Sequence, residues 1–244
     1  MLGRDKVERR AEYRVVVYDD KQWKLLADLR QEAIHIMEAL VAMRLAPIVH
    51  GSIARGDVHK DSDIDIFIPS IVPSYLVEVG LERAGLHVSH KLIIQATPQS
   101  TPKVYISLDA EEKRVVSFPL AKLSKREYEF YYFGGALDYN GLISGKRVPG
   151  VNKKLVLIEP LPKGHKESPV IGREAEVARI VGVSIDTVLE RVRVLTRRDE
   201  HGRTGVFVKY ELEPWESIED AVRKIARENP VFRRTLAAKG SPLV

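Results

Sequence analysis

Apolar residues recur at helical spacing over residues 20–44. Trp23, Leu26, Ala33, Met37, Leu40 and Val41 stand mostly three, four and seven apart, which predicts one amphipathic helix ended by Pro47. Before it, residues 12–18 (EYRVVVY) are β-branched and aromatic and predict a strand. After it, Ile48-Val49 starts a short strand that Gly51-Ser52 breaks. Residues 63–68 (DIDIFI) alternate strictly, so Asp63, Asp65 and Phe67 share one face of a strand and Ile64, Ile66 and Ile68 the other.

A helix is expected over 75–84, with Ser74 as N-cap and Gly85 as stop, then a strand over 86–95. Residues 103–108 and 115–118 predict a hairpin. Ser124 with Glu127 forms a capping box that opens a short aromatic helix, stopped by Gly134-Gly135. The turn-rich 160–164 segment (PLPKG) marks the expected domain boundary. Helices are expected over 174–181, 185–198 and 218–228, a β-ribbon over 202–212, and a basic end at Arg233-Arg234. The fold class that follows is α+β.

The apolar fraction of 44% in 244 residues supports a real core. No run of about 18 apolar residues is present, so no transmembrane helix is expected. The charged residues 1–13 do not read as a secretory h-region, and a cytoplasmic protein is expected. The lack of cysteine excludes disulfides, a thiolate nucleophile and zinc–thiolate sites. The net charge of +5 is matched by residues 141–166 alone, where Lys146, Arg147, Lys153, Lys154, Lys163 and Lys166 face one acid, Glu159. That stretch suits an anionic partner.

Candidate chemistry concentrates in residues 49–68, VHGSIARGDVHKDSDIDIFI. Asp63 and Asp65, two apart on one strand face, are close enough to share a divalent cation. Two carboxylates plus phosphate oxygens are the donor set Mg²⁺ prefers. Gly51 lets backbone approach a ligand, Ser52 offers a hydroxyl, and a helix starting there would aim N–H groups at phosphate. Arg55 and Lys60 are available to neutralise phosphates, although Lys60, Asp57 and Asp61 read better as solvated loop charges. His87 and His90, three apart in a strand, face opposite sides and do not chelate one metal.

The stretch resembles the signature of the DNA polymerase beta nucleotidyltransferase superfamily: a hydrophobic residue, Gly, Gly or Ser, a gap of about ten, then Asp-hydrophobic-Asp-hydrophobic. Here Gly51-Ser52 is followed by ten residues and then Asp63-Ile64-Asp65-Ile66. The GSIARG segment is similar to the minimal nucleotidyltransferases. The resemblance implies a nucleotidyltransferase fold, a mixed sheet with flanking helices, over roughly the first 150 residues. It also implies nucleotide-binding roles for Gly51, Ser52 and Arg55, metal-binding roles for Asp63 and Asp65, and Mg²⁺ (or Mn²⁺) as cofactor. A third carboxylate on a later strand is expected of the family. Asp109, at the end of the strand after the Tyr105, Ser107 face, is the candidate.

Val177-Ala178, Gly182, Ser184 and Val188 resemble a helix-turn-helix, with residues 202–212 as its wing. Arg191 stands where a core residue is expected. The expected organisation is a nucleotidyltransferase domain over 1–160, a small winged helix-like domain over 165–213 and a helical tail over 214–244. Five basic against four acidic residues from 184 to 203 is a weak balance for a DNA reader. The run Tyr128, Phe130, Tyr131, Tyr132, Phe133 reads as a docking face rather than a base-stacking one. The function expected is Mg²⁺-dependent transfer of an NMP from an NTP to an acceptor. RNA is favoured over protein or a small molecule; nucleic acid (RNA or DNA) is a partner, and a membrane is not. The alternative is a weakly active or inactive nucleotide-sensing domain that regulates a winged-helix nucleic-acid binder.

Overall fold

The computed structural model describes residues 6–9, 12–202 and 204–243. In chain order the elements are β1 (Arg14–Val17), α1 (Asp20–Ala42), β2 (Ile48–His50), α2 (Ser52–Arg55), β3 (Ile64–Phe67), α3 (Ser74–Arg83), β4 (His90–Gln95), β5 (Lys103–Ser107), β6 (Arg114–Pro119), α4 (Lys125–Phe133), β7 (Ala136–Asp138), α5 (Tyr139–Ile143), β8 (Gly150–Val151), β9 (Val156–Leu161), β10 (Gly164–Pro169), α6 (Glu174–Val181), α7 (Ile185–His201), β11 (Val208–Glu211), α8 (Ile218–Glu228) and α9 (Pro230–Ala238). By internal contacts they form two compact units. One takes the chain up to Gln31, Val49–Ser62 and Tyr128–Thr204; the other takes Glu32–Ile48, Asp63–Glu127 and the chain from Gly205. Among the described residues no helix is long and apolar enough to cross a membrane.

In the first unit an antiparallel sheet runs β1-β10-β9-β8. The 160–164 turn, expected as a domain boundary, joins the two strands of its β9–β10 hairpin. Helices α6 and α7 meet at Gly182, which takes the left-handed conformation (φ 72°). Their apolar faces (Val177, Ala178, Val181 and Val188) share one core with Val151 and Leu157 of the sheet, Leu155 of the β8–β9 turn and Phe133 of α4. Ser184 does not cap α7 with its own side chain. The Glu129 carboxylate does so instead, accepting from the Ser184 N–H (3.1 Å) and Oγ and from Thr187 Oγ1 (2.6 Å). Arg191, at the expected core position, lays its guanidinium over the Phe130 ring at 4.8 Å. Of the aromatic run, Phe133 thus packs in this core and Phe130 meets Arg191, while Tyr128 stays exposed.

In the second unit the sheet order is β11-β4-β5-β6-β3. It is mixed: β3 pairs parallel with β6, and the other pairs are antiparallel. One face carries Ile64, Ile66, Val104, Ile106 and Val116, all essentially without exposure. Each such side chain contributes roughly 1.5–3 kcal/mol of burial. Gly80 of α3 lies so close to Ala39 and Met43 of α1 that a Cβ there would clash, so the glycine sets the approach of the two helices. Ser74 is the first residue of α3 rather than its N-cap, and its hydroxyl donates to Glu219. The capping box before α4 forms as expected: the Ser124 N–H donates to Glu127 at 2.8 Å, and the Glu127 N–H donates to Ser124 Oγ at 3.3 Å.

The strand expected as a wing, β11, does not pair within the unit that holds α6 and α7. It adds antiparallel to β4, register Val208↔Gln95 to Glu211↔Leu92, because its alternating residues complete a sheet edge in the second unit. Arg203 of the expected wing lies outside the described residues.

Candidate active site

The first unit carries the Gly51–Ser52 end of the motif. β2 runs into Gly51, whose φ of 80° and ψ of −144° suit glycine, and α2 follows as a single turn. A Cβ on Gly51 would meet nothing within 4 Å, so open space lies against this backbone. No side chain caps the first turn of α2. The Ser52 hydroxyl donates to Ser62 Oγ at 3.3 Å, and Ser62 Oγ accepts the His59 N–H at 2.9 Å.

A four-residue helix has no stability of its own, so its neighbours hold α2. Arg30, buried, donates to the carbonyls of Ile53 (3.0 Å) and Ala54 (3.2 Å). Burial, aided by the Arg147 charge, lowers the Arg30 pKa to about 10. The Val148 N–H also donates to Ala54 O. The Tyr18 hydroxyl donates to Gly56 O at 2.9 Å and meets His165 Nδ1 at 2.6 Å; burial and the Asp57 charge push its pKa up to about 12. Arg147 lies over the Tyr18 and Trp23 rings and donates to the carbonyls of Gly164 and Leu161.

Arg55, expected to meet phosphate, is 6% exposed. Its guanidinium is held by both Asp57 oxygens (2.9 and 3.0 Å) and donates to Gly134 O at 2.6 Å. Gly135 has no room for a Cβ beside Arg55, and its carbonyl accepts the Gly51 N–H. The Gly134-Gly135 pair, read from sequence as a helix stop, therefore also seats the Gly51 loop. Arg30, Arg147 and Asp57 were not read as site-holding residues. Nothing in the sequence marks which of many basic residues caps a distant carbonyl.

The second unit carries the aspartates. Asp65 lies on β3 opposite Val115 of β6, which in turn lies opposite Ser107 of β5. Phe67 pairs with Ser117, and Ser117 with Tyr105. Directly paired residues share a sheet face. Lys103 accordingly reaches over the Phe67 ring at 5.5 Å. Burial and the Asp65 charge push the Tyr105 hydroxyl up to about 12. Burial brings Lys103 down to about 8. Asp63, just before β3, belongs to the same face by alternation, with both aspartates half-buried.

The face beside the aspartates thus presents Val115, Ser117, Lys103, Tyr105 and Ser107, and no carboxylate from β5 or β6. Asp109, the candidate third carboxylate, lies in the turn after β5. Its two oxygens accept from the N–H groups of Glu111, Lys113 and Arg114 and from Arg114 Nε, at 2.9–3.2 Å. Burial works to raise its pKa, but these donors outweigh it and hold the carboxyl below its ordinary range. The Leu108 N–H donates to Arg114 O and the Ile64 N–H to Lys113 O. That register puts Asp109 two strand spacings, about 10 Å of backbone, from Asp63. Its carboxylate serves the turn. Among the described residues no group of three or more His, Cys, Asp or Glu could hold a metal. Asp63 and Asp65 are nonetheless a donor set fitting a hard cation that takes its remaining oxygens from phosphate and water.

Residues 30–117 match the family model of a nucleotidyltransferase domain. The match covers about a third of the chain, includes Gly51, Ser52, Asp63 and Asp65, and stops before α4, α6, α7 and the C-terminal helices. No curated protein and no solved structure matches the chain.

Proposed function

We propose that the chain is a divalent-metal-dependent nucleotidyltransferase that moves an NMP from an NTP to an acceptor hydroxyl, with RNA as the favoured acceptor. The observation that carries the reading is the aspartate pair of β3, half-buried on one sheet face and lying with Gly51-Ser52 inside the segment that matches a nucleotidyltransferase domain. In the reaction the acceptor oxygen bonds to the α-phosphorus, the bond from that phosphorus to the bridging oxygen breaks, and pyrophosphate leaves. The hydroxyl proton passes to solvent. Asp63 and Asp65 would hold Mg²⁺ or Mn²⁺, which neutralises charge on the attacking and leaving oxygens. Gly51 leaves room for phosphate against its backbone, and the Ser52 hydroxyl, which donates to Ser62 Oγ at 3.3 Å, would turn from it to donate to that phosphate. Arg55, committed to Asp57 and Gly134, acts on the nucleotide through the position of α2.

One observation favours a second reading. With no third carboxylate on β5 or β6, the acceptor hydroxyl has no evident general base, which suits slow turnover or a nucleotide sensor. The two readings separate in one experiment. The chain is incubated with each α-labelled NTP, Mg²⁺ or Mn²⁺, and cellular RNA and protein, beside Asp63→Asn/Asp65→Asn. Label entering RNA and lost in the variant supports transfer to RNA. Bound NTP with no label in any fraction supports the sensor.

A further inference from the structure

In the basic stretch at 141–166, Lys146, Lys153, Lys154 and Lys163 are exposed, and Arg147, Lys154 and Lys166 have partners. Arg147 is tied to carbonyls, Lys166 to Glu159 at 2.7 Å, and Lys154 lies 3.8 Å from Glu8. A second concentration of exposed positive charge lies in the second unit, where α8 and α9 form a helical pair. α8 buries Ile218, Ala221, Val222, Ile225 and Ala226, and α9 buries Phe232 and Leu236. The opposite faces are left to Arg223 and Arg227 on α8 and to Arg233 and Arg234 on α9, all exposed. These four arginines line one groove of about 430 Å³, together with Ala226, Ala237 and Leu243.

No acid lines that groove. Arg223 is held by Asp220 at 2.6 Å, while the side chains of Arg227, Arg233 and Arg234 make no ion pair or hydrogen bond among the described residues. The other acids of α8 are Glu219, which accepts from Ser74, and Glu228 at its end. Lys224 is turned away to Tyr210 at 2.9 Å. Asn229 caps α9 with its own side chain, so the N-terminus of that helix is already satisfied. Arg227, Arg233 and Arg234, like charges on one helical pair, repel one another unless an anion sits among them. Guanidinium forks match phosphate oxygens in pairs. No aromatic side chain and no side-chain amide lines the groove, so apart from its guanidinium groups it holds nothing that reads a base edge, and these are left to meet phosphate.

We propose that the α8–α9 arginine groove binds the phosphate backbone of single-stranded nucleic acid, without base preference. Its volume is that of a small-ligand cleft, enough for a nucleotide or two of a flexible strand, whereas a duplex would ride over it. Calling that strand the acceptor rests on the proposed transferase activity; the binding itself does not.

The test measures binding of a labelled single-stranded RNA of mixed sequence to the full chain across a salt series. The variants are Arg233→Ala/Arg234→Ala, Arg233→Lys/Arg234→Lys and Asp63→Asn/Asp65→Asn. The alanine pair is expected to lose at least about tenfold in affinity at low salt and to flatten the log–log salt slope by about 1.4, two phosphates' worth for a single strand. The lysine pair, which keeps the charge, should retain the slope. The aspartate variant should bind RNA as the parent does even where it transfers nothing, so loss of transfer and loss of the groove are told apart. Unchanged affinity and slope in the alanine pair would overturn the proposal, as would equal loss in the lysine pair. Tighter binding of duplex DNA through the same arginines would contradict the single-strand assignment. Tripolyphosphate binding that is lost in the alanine pair while RNA binding is kept would reassign the groove to a small polyphosphate.

Discussion

Asp109 and Asp65 show how one residue type takes different work from its surroundings. Asp65 stands on a strand face beside hydroxyls, with Tyr105 nearby. Asp109 has four donors closing a turn around it. Asp109→Ala is therefore expected to lower stability by about 1–3 kcal/mol, through orphaned N–H groups, while leaving the transfer rate of the folded protein within about threefold. A loss of transfer near that of the β3 aspartates, with the fold intact, would restore Asp109 to the active site. Glu127 makes a pH statement. Burial opposes its ionisation, but the N–H groups of Thr101 and Ser124 and the Lys239 ammonium bring its pKa down to about 2. A folded pKa below the unfolded one adds stability above the ordinary carboxylate range and loses it as pH falls toward 2. Glu127→Gln should accordingly cost on the order of 2–3 kcal/mol at neutral pH, and progressively less in acid melts between about pH 4.5 and 2.

At the scale of elements, α7 depends on a cap from another helix. Removing the carboxylate in Glu129→Ala leaves the N–H of Ser184 and two hydroxyls without their acceptor. A loss of about 1–2 kcal/mol is expected, seen as a fall of about 2–4 °C in melting temperature per kcal/mol. Amide exchange should quicken in the first turn of α7. Helix periods and caps made α1, α4, α6, α7 and α8 legible in the sequence, because amphipathic stripes and capping boxes are local. The segment around β7 to β10 was harder to read. Pro160 and Pro169 sit in its strands, and its basic residues drew attention as a surface patch, although the apolar run 155–158 was a strand signal. α9 was also missed, yet Asn229 before Pro230 is a cap followed by a first-turn proline, a signal available beforehand. The pairing of β11 with β4 is a long-range choice that alternation cannot make.

For the molecule as a whole, the motif residues and the alternation of β3 were plain in the sequence, since spacing alone carries them. What was not legible is where each charge is used. Arg55 and Arg147 turn inward to hold the Gly51 loop and the first-unit sheet, Asp109 closes a turn, and the arginines of α8 and α9 remain for an anion. Such assignments depend on which side chains the tertiary fold brings together, and net charge averages over them. The central claim is that Asp63 and Asp65 make this chain a nucleotidyltransferase. Its most direct test is pyrophosphate release from each NTP in the presence of RNA and Mg²⁺ or Mn²⁺, for the parent chain and for the double variant Asp63→Asn/Asp65→Asn, with the variant checked for an unchanged fold. Release by the parent that needs the metal and falls by about 100-fold or more in the variant is the expected result, the size of effect that several kcal/mol of lost charge stabilisation gives. Release that is equal in the two chains, or absent from a parent that binds NTP, would contradict it.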